Sequence, residues 1–147
     1  MNKCDVLLLE NQLCFPLYVC AKEIVNAYTP YLSKIDLTYT QYITMMVMWE
    51  EKEVLTRRLK ERLYLDSGTL TPVLNRLEEK GFISKERSKE DARDLLVTIT
   101  EKGEKLKNKA LLIPEQVSYC VEGLENTEEL KECLDQLMKI LRKNKEK

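Results

Sequence analysis

Cys14 stands in the run Glu10-Asn11-Gln12-Leu13-Cys14-Phe15, with Leu17 a little further on. A cysteine reacts as its thiolate, which must be stabilised by a cation, by the positive end of a helix, or by hydroxyl donors. No Lys, Arg or His lies beside Cys14. Pro16 cannot donate to the carbonyl of residue 12, so a helix can restart here and leave Cys14 near its N-terminus. The plainer reading is a small hydrophobe on an amphipathic helix. The five cysteines, at 4, 14, 20, 120 and 133, are odd in number and widely spaced. They are expected to be reduced cytoplasmic thiols, not a disulfide framework. Histidine is absent, which removes Ser-His and Cys-His catalysis and the commonest metal ligand. No Cys-x-x-Cys, phosphate loop or paired-carboxylate motif occurs. The expectation is a protein that is not an enzyme and uses no metal and no cofactor.

A second set of residues is suited to reading DNA. Residues 65–81 run Leu-Asp-Ser-Gly-Thr-Leu-Thr-Pro-Val-Leu-Asn-Arg-Leu-Glu-Glu-Lys-Gly. Leu70, Val73, Leu74 and Leu77 make one apolar stripe at helical spacing. Asp66 or Ser67 can cap the start, and Gly81 can take the left-handed position past the end. The opposite face carries Gly68, Thr71, Pro72, Asn75 and Arg76. Small residues let the backbone approach a phosphate, and Thr, Asn and Arg reach base edges. Pro72 favours a helix that begins late, between Ser67 and Thr69.

The flanking elements frame that helix. Thr56 is expected to cap a short helix over 57–63, and Tyr64-Leu65-Asp66 to turn into the second, a helix-turn-helix. A strand over 82–87, a charged turn over 88–94 and a returning strand over 95–99 make a hairpin. Leu55 can add a short strand. Upstream, a helix is predicted over 5–28, with Leu9, Leu13, Leu17, Ala21, Ile24 and Tyr28 in phase. Thr29-Pro30 is expected to start a separate short helix ending near Lys34. Thr38 and Gln41 form a capping box for a buried helix over 39–50, with Met45, Met46 and Met48 as core filler. Thr100 caps a long helix that Pro114 should break. Thr127 is expected to cap a last helix with Leu130, Leu134, Leu137, Met138 and Leu141 on one face, followed by a frayed tail over 142–147. The fold class is therefore mainly α with a small β hairpin, a winged helix-turn-helix.

Charge divides the chain in two. Residues 56–93 hold ten Lys/Arg against seven Asp/Glu, a local +3 in a chain of net charge −1. A basic module on an acidic body suits a DNA reader, although +3 alone does not distinguish it from a solvated face. No apolar run is long enough to span a bilayer, and Lys3 followed by Asp5 is unlike a signal peptide. The expected location is cytoplasmic, with no membrane partner.

These residues resemble the MarR family of bacterial repressors and, within it, the organic-hydroperoxide-sensing OhrR group. The resemblance is carried by Asp66-Ser67-Gly68-Thr69-Leu70-Thr71-Pro72, by Asp91-x-Arg93, and by the Leu-Cys-Phe segment. It implies a homodimer that sets two recognition helices about 34 Å apart on a near-palindromic duplex. One protomer would span 1–147, with 1–35 and 101–147 as dimerisation helices and 38–100 as the DNA-binding module. Ser67, Gly68, Thr69, Thr71, Asn75 and Arg76 would meet DNA, with Arg87 and Arg93 in the wing and Asp91 holding Arg93. Cys14 would be oxidised by an organic hydroperoxide, and Tyr28 and Tyr39 would donate hydrogen bonds to it. Fourteen residues along one helix separate Cys14 and Tyr28 by roughly 21 Å, so that bond would cross to the partner. The resemblance leans towards an intersubunit disulfide with Cys120, and capping by a small thiol is the other end state. Cys20, turned about 240° from Cys14, faces elsewhere. Rival readings are a repressor released by a phenolic or aromatic ligand, a thiol peroxidase, and a helical module that ignores DNA.

Overall fold

The computed structural model describes residues 4–146. Two 3-10 turns, Asp5–Leu7 and Leu9–Asn11, precede helix α1, Cys14–Ser33. Helix α2 spans Tyr39–Glu51, strand β1 Glu53–Leu55, α3 Thr56–Leu63 and α4 Ser67–Glu79. Strands β2, Ile83–Arg87, and β3, Leu95–Ile99, form the hairpin. Helices α5, Glu101–Ala110, and α6, Ile113–Val117, a 3-10 turn over Ser118–Val121, and α7, Thr127–Lys145, complete the chain. The antiparallel sheet has the order β1-β3-β2, with Val54 opposite Val97 and Lys85 opposite Val97 on the other side. The expected hairpin thus gains a third strand.

Local signals set several boundaries. Thr38 and Gln41 close the capping box at α2 in both directions. Asp66 caps α4 through the Thr69 N–H at 2.8 Å. Gly81, at φ 78°, ends it in a Schellman motif, with Phe82 N–H bonded to Leu77 O and Gly81 N–H to Glu78 O. Pro72 lies inside α4, where it cannot donate to the Gly68 carbonyl.

Other expectations are corrected. The first helix begins at Cys14 because Asn11 and Gln12 turn their side-chain amides onto the carbonyls of Asp5 and Val6. Thr29-Pro30 starts nothing: α1 runs through Pro30, and Thr29 donates to the Val25 carbonyl. Met45 and Met48 are fully buried, but Met46 is 47% exposed, since adjacent helical residues point about 100° apart. Thr56 is the first residue of α3, not its cap, and its hydroxyl donates to Asp94 instead. Asn126, left-handed at φ 58°, precedes α7 in place of a Thr127 cap. The tail is helical to Lys145, and Lys147 lies outside the described residues.

The core extends from Leu32 to Val117 around α2 and takes nothing from the first half of α1 or from α7. Apolar side chains of those two helices are left in the open: Phe15 is 41% exposed, Leu130 45% and Leu141 54%. By contrast, α5 joins the reader's own core through Leu106 and Ala110.

One close approach holds α5 on the sheet. A Cβ on Gly103 would stand 2.2 Å from the Phe82 carbonyl oxygen and 2.9 Å from Ile99 Cγ1. The same glycine's carbonyl accepts the Trp49 indole N–H at 2.9 Å, tying α5 to α2. Gly103→Ala is therefore expected to lower stability by about 1–3 kcal/mol in urea unfolding. A change below about 0.5 kcal/mol would mean that α5 shifts freely off Phe82.

Candidate functional site

The reading surface is built from α3, α4 and the wing. Lys60, Ser67, Thr71, Asn75, Lys85 and Arg93 line a groove between them. Ser67, Gly68, Thr69, Thr71, Asn75 and Arg76 are all exposed on the face of α4 away from the core. The stripe Leu70, Val73, Leu74 and Leu77 is buried, and this aims the polar face outward. Lys60 Nζ lies 3.2 Å from Ser67 Oγ. Asn75 Oδ1 accepts from Lys85 Nζ. Lys85 is itself held by Glu78 at 3.3 Å. Arg76 pairs with Glu79 at 2.9 Å on the surface. The Thr69 N–H holds the Asp66 carboxyl below the usual carboxylate range.

The wing is braced from within. Arg87 donates to the Ala92 carbonyl across its tip. Ser88 Oγ accepts from the N–H groups of Glu90 and Asp91. Asp91 Oδ1 receives both the N–H and the Nε of Arg93, at 3.0 and 3.4 Å. The Arg93 side chain is nonetheless 94% exposed.

Two anchors went unseen in the sequence. Asp94 is buried at the wing base, where it accepts from the Thr56 hydroxyl, from Leu95 N–H at 2.9 Å and from Arg57 N–H, with Arg57 Nε 3.4 Å from its other oxygen. Glu51 holds α3 to α2 through Arg58 at 2.7 Å and Arg62 at 2.6 Å. Asp94 reaches back 38 residues to Thr56, and the Glu51 pairs cross from one helix to the next, so no spacing rule within an element reveals them.

The residues expected to sense the oxidant fall into separate groups. Cys14 is the first residue of α1, exposed, and Leu13 precedes it without a side-chain cap. Tyr28 and Tyr39 meet edge to face, with centroids 5.2 Å apart. Tyr42, which the sequence did not suggest, joins them at 5.8 Å from Tyr28. Burial, then the neighbouring Tyr28, raises the Tyr39 and Tyr42 phenols above their ordinary value, which keeps them protonated donors. Cys120 is exposed in the 3-10 turn beside Tyr119, whose phenol is raised by burial and then by that thiol. Within the protomer the two tyrosines come together. Cys14 stays at the opposite end of α1 from Tyr28, roughly 21 Å away at the α-helical rise.

Comparison with known proteins agrees with this geometry. The family described as "Transcriptional regulator SarA/Rot" matches residues 26–110. The organic hydroperoxide resistance transcriptional regulator of Bacillus subtilis (strain 168) is 43% identical over 141 residues, covering 95% of this chain and 96% of that protein. The chain belongs to the MarR family of winged helix-turn-helix transcriptional regulators, in its organic-hydroperoxide group. Among solved structures, reduced AbfR bound to DNA matches this regulator with a TM-score of 0.78 and 31% identity, over 97% of each chain. Disulfide-formed AbfR matches with a TM-score of 0.64 and 34% identity, over 88% of this regulator and 92% of that chain. These relatives are regulators and not enzymes. Among the described residues, no helix is long and apolar enough to cross a membrane.

Asp94 sets a pH dependence for the regulator. Burial pushes its carboxyl up, and the bonds from Thr56, Leu95 and Arg57 reverse this, leaving it below the usual carboxylate range. A folded value below the unfolded one, about 3.9, gives stability that is present above that pH and lost as pH falls through the folded value. Asp94→Asn should cost about 1–3 kcal/mol at pH 7, and the gap to wild type should close as the pH is lowered below the carboxylate range. Equal urea midpoints at pH 7 would show that the Asp94 charge holds nothing.

Proposed function

We propose that this chain is a homodimeric transcriptional repressor that releases its operator when an organic hydroperoxide oxidises Cys14. The observation that carries the reading is a winged reader and an exposed thiol at a helix N-terminus in one chain. The 43% identity to a hydroperoxide-resistance regulator and the likeness to reduced and disulfide-formed AbfR support it. The protein acts in the cytoplasm, on double-stranded DNA with a near-palindromic operator, and uses no cofactor.

Residues 38–100, with α5 packed on their core, read DNA, and the remainder of 1–35 and 101–147 forms the dimer. The open apolar faces of α1 and α7 are the argument for a second copy, because a lone protomer would leave them in water. In the dimer α4 enters the major groove, with Ser67, Gly68, Thr69, Thr71, Asn75 and Arg76 at the duplex. The wing lays Arg93, positioned by Asp91, and Arg87 along the minor groove.

The sensing step starts with the Cys14 sulfur as its thiolate, with the partner's Tyr28 and Tyr39 hydroxyls as hydrogen-bond donors to it. Its sulfur attacks the peroxide. An S–O bond forms, the O–O bond breaks, and the alcohol leaves with a proton. The thiol of Cys120 in the other protomer then displaces water from the sulfenic acid and forms an intersubunit disulfide. Leu13, Phe15 and Leu17 give the thiol an apolar surround that suits organic peroxides. The new bond draws the dimer helices together and changes the separation of the two reading heads, which then no longer fit one duplex.

The test is operator binding with and without cumene hydroperoxide. Wild type should bind and then release, and Cys14→Ser should bind and stay bound. Release by the Cys14→Ser protein would end the Cys14 mechanism. Non-reducing mass spectrometry should show a covalent dimer that Cys120→Ser cannot form. Arg93→Ala should weaken binding several-fold and lower the salt slope by about one.

A further inference from the structure

The turn between α3 and α4 is held from outside the winged module. Tyr64 closes α3 in the left-handed region, φ 54° and ψ 34°, which a residue with a side chain adopts at a cost. Its N–H and that of Leu65 both go to the Lys60 carbonyl. The Glu61 carbonyl, in the last turn of α3, has no helical partner of its own. Arg142, near the end of α7, supplies one: its Nη1 donates to Glu61 O at 3.1 Å, across 81 residues of sequence. The same guanidinium lies over the Tyr64 ring, 4.9 Å from the centroid. One planar cation thus caps the first helix of the reader and covers the strained residue of its turn.

We propose that Arg142 is a positioning residue for DNA binding, and that it fixes the turn that aims α4. This rests on the DNA-reading function above. Arg142 contacts the reader's backbone and Tyr64 and does not contact the duplex.

The test compares wild type with Arg142→Gln in the intact protein. Amide hydrogen exchange over residues 61–69 should accelerate about tenfold in the variant, with α2 unchanged, since a charge-assisted bond is lost. Operator affinity should fall about tenfold at fixed salt, with the slope of log affinity against log salt unchanged. The Tyr64→Leu variant should show the same loss, and the double variant little more than either alone. Unchanged exchange over the turn would overturn the proposal, as would multiplied losses in the double variant. A slope reduced by about one would also overturn it, by making Arg142 a phosphate contact. If wild type ignores the duplex, the DNA-reading function fails, and the exchange data still decide whether Arg142 holds the turn.

Discussion

A helix cannot bend back on itself, and α1 applies that rule to the sensor. Cys14 opens the helix and Tyr28 lies fourteen residues on, beside Tyr39 and Tyr42. No side-chain rotation closes roughly 21 Å. The first half of α1 buries nothing in its own protomer, while its second half enters the core at Leu32. One end of α1 thus belongs to the folded body and the other is offered outward, carrying the thiol. The Tyr28 and Tyr39 hydroxyls of the same protomer therefore do not reach Cys14.

The reader needs the opposite property, which is rigidity. Its parts come from separate stretches, and buried or paired polar groups join them. Asp94 fixes the wing base to the start of α3, and Glu51 fixes α3 to α2. Gly103 allows α5 to lie against the Phe82 carbonyl, so the helix leaving the sheet is fixed where the wing begins. Elements joined in this way move together and not one at a time.

What was legible in the sequence was local. The Thr38–Gln41 box, the Asp66 cap and the Gly81 stop each involve residues within a few positions, and fixed offsets reveal them. The stripe on α4 and the wing hairpin follow from periodicity. The errors share one cause, which is competition from a distant or alternative partner. Thr56 has the chemistry of a cap, but Asp94, 38 residues on, takes its hydroxyl. Pro30 has the chemistry of a helix start, yet α1 already runs through it. Arg142 read as frayed tail because its partners, Tyr64 and Glu61, lie far upstream. Among the sensor residues, Tyr28 and Tyr39 came from family likeness, and Tyr42 was missed because nothing local separates it from ordinary core.

Counting charges gave the reader a surplus of basic residues, and the structure qualifies what that surplus can do. Arg57, Arg58, Arg62, Arg76, Lys80, Lys85 and Arg93 all face a carboxylate. A phosphate can recruit such a cation only by displacing its acid, so the net gain per contact is small where the pair is held as tightly as Arg62 between Glu50 and Glu51. Lys60, Arg87 and Lys89 have no such competitor among the described residues, and Arg93 meets Asp91 at only 3.4 Å with its side chain almost wholly in solvent. Phosphate attraction therefore concentrates at the start of the groove and at the wing tip. The middle of α4 is left to small and amide side chains, which can approach bases without first being stripped of a counter-charge. The acidic residues thus neutralise most cations of the winged module, Arg76 among them, and leave Lys60, Arg87 and Lys89 without a carboxylate partner among the described residues in a chain of net charge −1.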